Sequence, residues 1–247
     1  MDKALYVAMT GATETLRAQA ANSHNLANIS TVGFKGDLTA TSAVGIAGEG
    51  FQSRVNALLQ SAGFDARAGS LMPTGGDLDV AVRGENDWIA VQDSKGNEAY
   101  TRAGDLRITP QGQLTTAAGL VVMGDGGPVS IPPAQKVSIG DDGTVSVVPQ
   151  GQGPATIANV GRIKVVHVEP KDVVRGEDGL MRLRAGASAT PVAGSALMTG
   201  VLEGSNVNAA ESLVNMIQLA RQFEMQMRVM KTADDNDKAS TSLIRTS

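Results

Sequence analysis

Leu213-Val214-Asn215-Met216-Ile217-Gln218-Leu219-Ala220-Arg221-Gln222-Phe223-Glu224-Met225-Gln226-Met227-Arg228-Val229-Met230 carries the rhythm of a long helix. Leu213, Met216, Ala220, Phe223, Met227 and Met230 recur at alternating steps of three and four, and Asp234, Asp237, Thr241 and Ile244 continue the series. That spacing lines one helix face and is the seam pattern of a coiled coil. From Ala209 to Ser247 there is neither Gly nor Pro. Asn208 fits the N-cap, and Glu211 three residues later completes a variant capping box. Asp234 and Asp237 turn the end of the seam acidic, so the final turns are expected to be poorly buried or to meet polar partners.

The other end of the chain repeats the pattern more weakly. Leu5, Met9, Ala12, Leu16, Gln19, Ser23 and Leu26 keep the same steps, broken only by the helix-weakening Gly11. The pattern stops at Ile29-Ser30-Thr31-Val32-Gly33, a β-branched and glycine stretch. A stripe of this length spans roughly 40 Å. It needs a partner, and the obvious one is the other terminal helix, with the remaining apolar positions left for neighbouring subunits.

Between the helices the period falls to two. Leu78-Asp79-Val80-Ala81-Val82 and Trp88-Ile89-Ala90-Val91 alternate, and further strands are expected at 106–108, 113–115, 120–123, 137–139, 144–148, 162–168 and 181–183. Turn signals at 84–87, 94–97, 109–112, 141–143 and 150–154 separate them. Many short strands at this spacing predict an antiparallel all-β domain. Residues 34–75 are polar and rich in Gly, Ala and Ser, and read as an extended connector. The expected fold is therefore α+β. The N- and C-terminal helices pair as a coiled-coil-like segment around a central antiparallel all-β domain, with divisions at 1–33, 34–75, 76–200 and 201–247.

Composition narrows the chemistry. The 247 residues carry 21 basic and 25 acidic side chains, a net charge of −4, and only 3% aromatics. Nucleic-acid binding is not expected from such a chain. With no cysteine it has no disulfide, thiolate or Cys-ligated zinc. The uncharged runs 143–161 and 185–202 contain Pro and several Gly, and are not expected to insert into a membrane. Nor does the start of the chain read as a cleavable secretion signal, because Asp2 and Glu14 bracket a short apolar stretch.

No catalytic, cofactor or metal site is expected. His24 and His167 have no triad or His-Glu-x-x-His context, and read as structural or surface residues. Asp77 and Asp79 could face one cation but lack a third ligand, and Asp141-Asp142-Gly143-Thr144 lacks the calcium-loop register. Gly124-Asp125-Gly126-Gly127 has no P-loop lysine. The helical methionines read as packing residues.

Two motifs give more. Ala21-Asn22-Ser23-His24-Asn25-Leu26-Ala27-Asn28-Ile29-Ser30-Thr31-Val32-Gly33-Phe34-Lys35 resembles the A-N-N-L-A-N-x-x-T-x-G-F-K signature of the flagellar rod, hook and hook-associated axial proteins, departing from it at Ser23-His24. Gly200-Val201-Leu202-Glu203-Gly204-Ser205-Asn206-Val207-Asn208 resembles the second signature of the same family, G-x-L-E-x-S-N-V-[ND]. The length is similar to that of the mid-sized rod members. The opening Met1–Ala12 and the run Leu219–Met227 look like a proximal-rod member rather than the distal-rod protein FlgG, which typically has Q-R-A-Y-E there. FlgG, or a secreted β-rich tail or adhesin subunit, is the alternative.

The resemblance implies a structural subunit of a torque-transmitting shaft in the periplasm, with helices forming an inner tube and the β-domain outside. It implies no enzyme activity and no cofactor. The implied partners are further copies of the chain, FlgC-type proximal-rod proteins, FlgG, and the flagellar type III export apparatus in transit, without a cleaved signal peptide. The residues expected to carry assembly are Leu5, Met9, Leu16 and Leu26 on the first helix and Asn25, Asn28, Gly33 and Phe34 in the first motif. In the second half they are Leu202, Asn206, Val207 and Asn208 in the second motif, then Leu213, Met216, Ala220, Phe223, Met227 and Met230.

Overall fold

The structure is a computed structural model that describes residues 2–45, 55–151 and 156–245. It holds two long helices, α1 (Asp2–Ala27) and α2 (Ala209–Arg245), with short strands between them. Contacts divide the chain into two units. One contains Met1–Asn28, Asp37–Gly63 and Val207–Ser247; the other contains Ile29–Gly36 and Phe64–Asn206. Both family-like motifs are thus split by this division, and their Gly33–Lys35 and Leu202–Asn206 portions belong to the β-rich unit.

In the helical unit, α1 and α2 pack along their lengths. The Asn22 amide donates to the Ser212 carbonyl at 2.7 Å. A Cβ placed on Gly11 would stand 3.0 Å from the Gln226 amide nitrogen. Residue numbers rise along one helix as they fall along the other, so the pair is antiparallel.

The inner face follows the predicted apolar stripe only in part, at Ala12, Met216, Phe223 and Met230. Ala8, Ala12 and Thr15 are buried on α1, and Ser212 is buried on α2 above half-buried Met216, Leu219, Phe223, Gln226 and Met230. Leu5, Met9, Leu16, Leu213 and Met227, expected in the seam, stand exposed. The reason is geometric. Alternate steps of three and four fix a stripe only to within one residue, and small side chains let two backbones approach more closely than Leu and Met do. Three threonines on α1 satisfy their hydroxyls inside the helix: Thr10, Thr13 and Thr15 donate to the carbonyls of Tyr6, Met9 and Gly11.

The expected connector is also more ordered than its composition suggests. Residues Asp37–Gly45 (β1) and Val55–Phe64 (β2) form a two-stranded sheet. Its apolar residues Leu38, Val44, Val55 and Leu58 are exposed, so no buried face left a period in the sequence. Side chains of α1 hold this ribbon instead. Glu14, almost fully buried, accepts the Leu59 N–H at 3.1 Å and the Arg17 guanidinium at 3.0 Å. Asn25 pairs both amide atoms with the backbone of Asp37, at 2.8 and 2.9 Å.

The β-rich unit is built on strand Asp87–Gln92, which pairs antiparallel with Glu98–Thr101, Val121–Gly124 and Val165–His167. Ile89 and Val91 enter one core cluster with Val80, Leu114, Val122, Val145, Ile163 and Leu197. Trp88 and Ala90 enter another with Phe64, Tyr100, Val166 and Met181. Successive residues point to opposite faces of a strand, so one short strand supplies both cores. Residues Ala134–Ile139, Thr144–Pro149 and Ala158–Arg162 form a three-stranded antiparallel sheet.

The nine expected strands have counterparts in the structure, the 162–168 stretch becoming the end of one strand and Val165–His167. Leu71–Pro73, Glu98–Thr101, Val173–Arg175, Leu197–Thr199 and Val201–Glu203 were not expected, each being only three or four residues long. Residues 152–154 of the expected turn at 150–154, and the Ile244 side chain, lie outside the described residues.

Candidate functional site

Inside the β-rich unit, the chain around Gly33–Lys35 and the chain around Leu202–Asn206 meet in a buried clasp. Lys35, Arg102 and Glu203 have side chains only 1% exposed. Lys35 Nζ donates to Glu203 Oε1 at 2.8 Å, and Arg102 Nε donates to Glu203 Oε2 at 2.6 Å. The Gly69 N–H also donates to Oε1, at 2.9 Å. Burial pushes the Glu203 carboxyl up, but Arg102, Lys35 and the Gly69 N–H outweigh it and hold it below the usual carboxylate range. Burial, with Arg102 nearby, lowers Lys35 despite Glu203.

Each cation has a second task. Lys35 Nζ also donates to the Arg67 carbonyl at 2.7 Å. The Arg102 fork reaches the carbonyls of Val82, Gly84, Glu85 and Asp87, and so ties down the turn before the central strand. Its guanidinium also lies over the Trp88 ring, 5.8 Å from the centroid.

The neutral motif residues seal the same clasp. Gly33 has φ +68° and donates to the Glu203 carbonyl at 2.7 Å; a Cβ there would sit 2.3 Å from the Arg102 carbonyl carbon. Both facts demand glycine. Asn206 accepts the Gly36 N–H at 2.8 Å and donates to the carbonyls of Asp65 and Arg67 at 2.9 and 3.0 Å. The Arg175 guanidinium stacks over Phe34 at 4.8 Å and donates to the Lys35 carbonyl. Leu202 is half-buried opposite Met72, and Val207, in the helical unit, is half-buried.

The remaining predicted residues lie in the helical unit. Asn208 accepts the N–H groups of Ala210 and Glu211 at 3.0 and 3.4 Å, the N-cap of α2. Asn28 donates to the His24 carbonyl at 2.9 Å at the end of α1. Leu26, Met216, Ala220, Phe223 and Met230 are half-buried, whereas Leu5, Met9, Leu16, Leu213 and Met227 are exposed. Sequence reasoning missed Lys35, Arg102, Glu203 and Glu14. A charge flanked by apolar and glycine residues, as in Leu202-Glu203-Gly204 or Gly33-Phe34-Lys35, was the available signal for two of them. Arg102 carried none.

Nothing in this arrangement makes a reaction site. His24 and His167 each contact one aspartate, Asp37 at 2.9 Å and Asp87 at 2.7 Å. Asp79 accepts the Thr74 hydroxyl at 2.5 Å and Asp142 accepts the Thr144 N–H at 3.0 Å, both as turn residues. Among the described residues no three His, Cys, Asp or Glu side chains cluster as a metal site, and no helix is long and apolar enough to cross a membrane.

Lys35, Arg102 and Glu203 each fall within a stretch that matches a known family. Residues 5–35 match a flagella basal body rod protein family, residues 81–147 a flagellar hook protein FlgE/F/G D1 domain, and residues 198–243 a flagellar basal body rod FlgEFG protein C-terminal family. The flagellar basal-body rod protein FlgF of Salmonella typhimurium is 42% identical, over 99% of each chain, and FlgF of Escherichia coli is 42% identical over the same shares. The flagellar basal-body rod protein FlgG of Buchnera aphidicola subsp. Schizaphis graminum is 34% identical, over 95% of this chain and 96% of its own. Matched at both ends, in the middle and along its whole length by such relatives, the chain belongs to the FlgF family of flagellar basal-body rod proteins.

Proposed function

We propose that this chain, a structural subunit of the flagellar basal-body rod and not an enzyme, works in the proximal rod as part of a torque-transmitting shaft across the periplasm. The observation that carries this reading is the division of labour on the helices. Small side chains pair α1 with α2, and Leu5, Met9, Leu16, Leu213 and Met227 remain exposed. Exposed apolar residues repeated along a helix need cover, and shear along a shaft is best spread over many such contacts. In this reading the helices, residues 1–33 and 201–247, continue as coiled-coil-like seams between copies and line the inner tube. The stretch 34–75 links them to the β-rich body, residues 76–200, on the outside.

The partners in this reading are further copies of the chain, FlgC-type proteins on one side and FlgG on the other. The chain reaches them through the flagellar type III export apparatus. The motif residues Asn25, Asn28, Gly33, Phe34, Leu202, Asn206, Val207 and Asn208 serve assembly by fixing the subunit's shape. The test is electron microscopy of purified basal bodies carrying a labelled copy, with Leu16→Asp alongside. Label in the proximal rod, and no rods with the variant, support the reading. Label elsewhere in the basal body overturns the proximal position.

A further inference from the structure

Residues 197–206 close the β-rich unit at four separate places. Leu197–Thr199 pairs with Val80–Val82, and Val201–Glu203 pairs with Leu71–Pro73. Glu203 receives Lys35 and Arg102, and its carbonyl receives the Gly33 N–H. Asn206 ties Gly36 to the backbone of Asp65 and Arg67. All these partners come about a hundred residues or more earlier in the chain, the nearest being Arg102, 101 positions from Glu203.

No other segment can take over this task. Among the described residues, Glu203 is the one carboxylate hydrogen-bonded to Lys35 or to Arg102. With residues 197–206 undocked, packing the rest of the unit would bury two cations with no carboxylate bonded to either, Asp65 acting on Lys35 only at longer range. That cost is on the scale of a whole domain's stability, so the cations must stay in water and the sheet around them must stay open. Arg102 transmits the effect to the sheet centre, because it also holds the carbonyls from Val82 to Asp87 and lies over Trp88.

We propose that residues 197–206 are a latch that makes folding of the entire β-rich unit conditional on its own C-terminal segment. A chain delivered N-terminus first carries this unit open until residue 206 is free. The inference does not depend on where in the rod the subunit sits.

Pulse-labelled hydrogen exchange on the full chain refolding from urea tests it. The amides of Ala90, Leu114 and Val129, which bond within the sheet, should become protected within twofold of the time taken by the latch-dependent amides of Gly33, Gly69 and Thr74. Sheet amides protected tenfold sooner would overturn the latch. Native-state exchange of full-length Glu203→Gln gives a second reading, since one of its two oxygens becomes a donor facing donors. Exchange at Ala90, Leu114 and Val129 should rise at least tenfold, together with Gly33. Unchanged sheet protection, with loss at Gly33 and Gly69 alone, would reduce the clasp to a local contact. Should Glu203→Gln not fold, Asn206→Ala removes three hydrogen bonds while keeping the ion triad, and the same two outcomes decide.

Discussion

Two residues one turn apart on α1 separate folding from assembly. Ala12 is 5% exposed in the seam with α2, and Leu16 is 49% exposed. Replacing Leu16 by Asp removes about half of a leucine's burial, ~1 kcal/mol, and costs up to ~0.7 kcal/mol of helix propensity. The folded subunit should tolerate that: its helical circular dichroism should be unchanged and its melting temperature lower by a few degrees. Ala12→Asp instead drives a carboxylate into the buried seam of the helix pair. An unpaired buried charge costs several kcal/mol, a large share of a domain's stability. The pair should open, and the helical signal should fall sharply. Both variants should abolish swimming, one because copies do not join and the other because the subunit is misbuilt. The decisive measurements are motility in a strain lacking its own copy and circular dichroism of the purified proteins. Wild-type swimming by Leu16→Asp would refute the assembly role of the outer stripe. Full helicity in Ala12→Asp would refute the seam.

Gly33→Ala should lower the urea midpoint of the β-rich unit by 1 M or more, a shift of ~2 kcal/mol at ordinary slopes for its size, read from the fluorescence of Trp88, the sole tryptophan; a shift under 0.3 M would show that the Arg102 backbone yields easily. Residues 76–200 made alone keep Arg102 but lose Glu203 and Lys35, so this fragment should lack a cooperative transition, and a sharp one would contradict the clasp's energetic role. The carboxyl of Glu203 is held low in the fold, so the stability it brings is present above its unfolded pKa and should fall away as pH drops through the folded value; Glu203→Gln should lack this acid-side slope in urea titrations between pH 5 and 2. Hydrogen bonding to Asp87, with Glu169 beside it, holds His167 above its ordinary value. Its contribution is present at low pH and disappears as pH rises through the folded value; being half-exposed, it should amount to ~0.5 kcal/mol or less, and His167→Gln should flatten that slope.

The sequence carried the helices, the Asn208 cap and the central strand, because each rests on local pattern. The strand Asp87–Gln92 was legible as a strand, but not as one buried on both faces, since Trp88–Val91 reads as alternating. The phase of the helix seam was legible only in part, at Ala12, Met216, Phe223 and Met230. Leu and Met dominate any hydrophobic count, whereas closeness of approach is decided by Ala8, Gly11, Ala12 and Thr15. The ribbon of β1 and β2 was not legible, because it is held by Glu14 and Asn25 and not by a buried face of its own. The clasp escaped for another reason. Lys35, Arg102 and Glu203 lie far apart in sequence, and a charged side chain gives no local sign that it will be paired in the dark.

The antiparallel helices are unequal, 26 residues against 37. With Asn22 level with Ser212 and Gly11 with Gln226, the first residue of α1 falls near position 235. About ten residues of α2 then extend past that level, for roughly 15 Å. Such a pair is staggered, one helix outreaching the other as in a half-lapped timber. A contact that seated the longer reach of one copy against a different surface of the next would repeat head to tail instead of closing on itself as a two-fold dimer. In such a contact, polarity would follow from the difference in length between two helices.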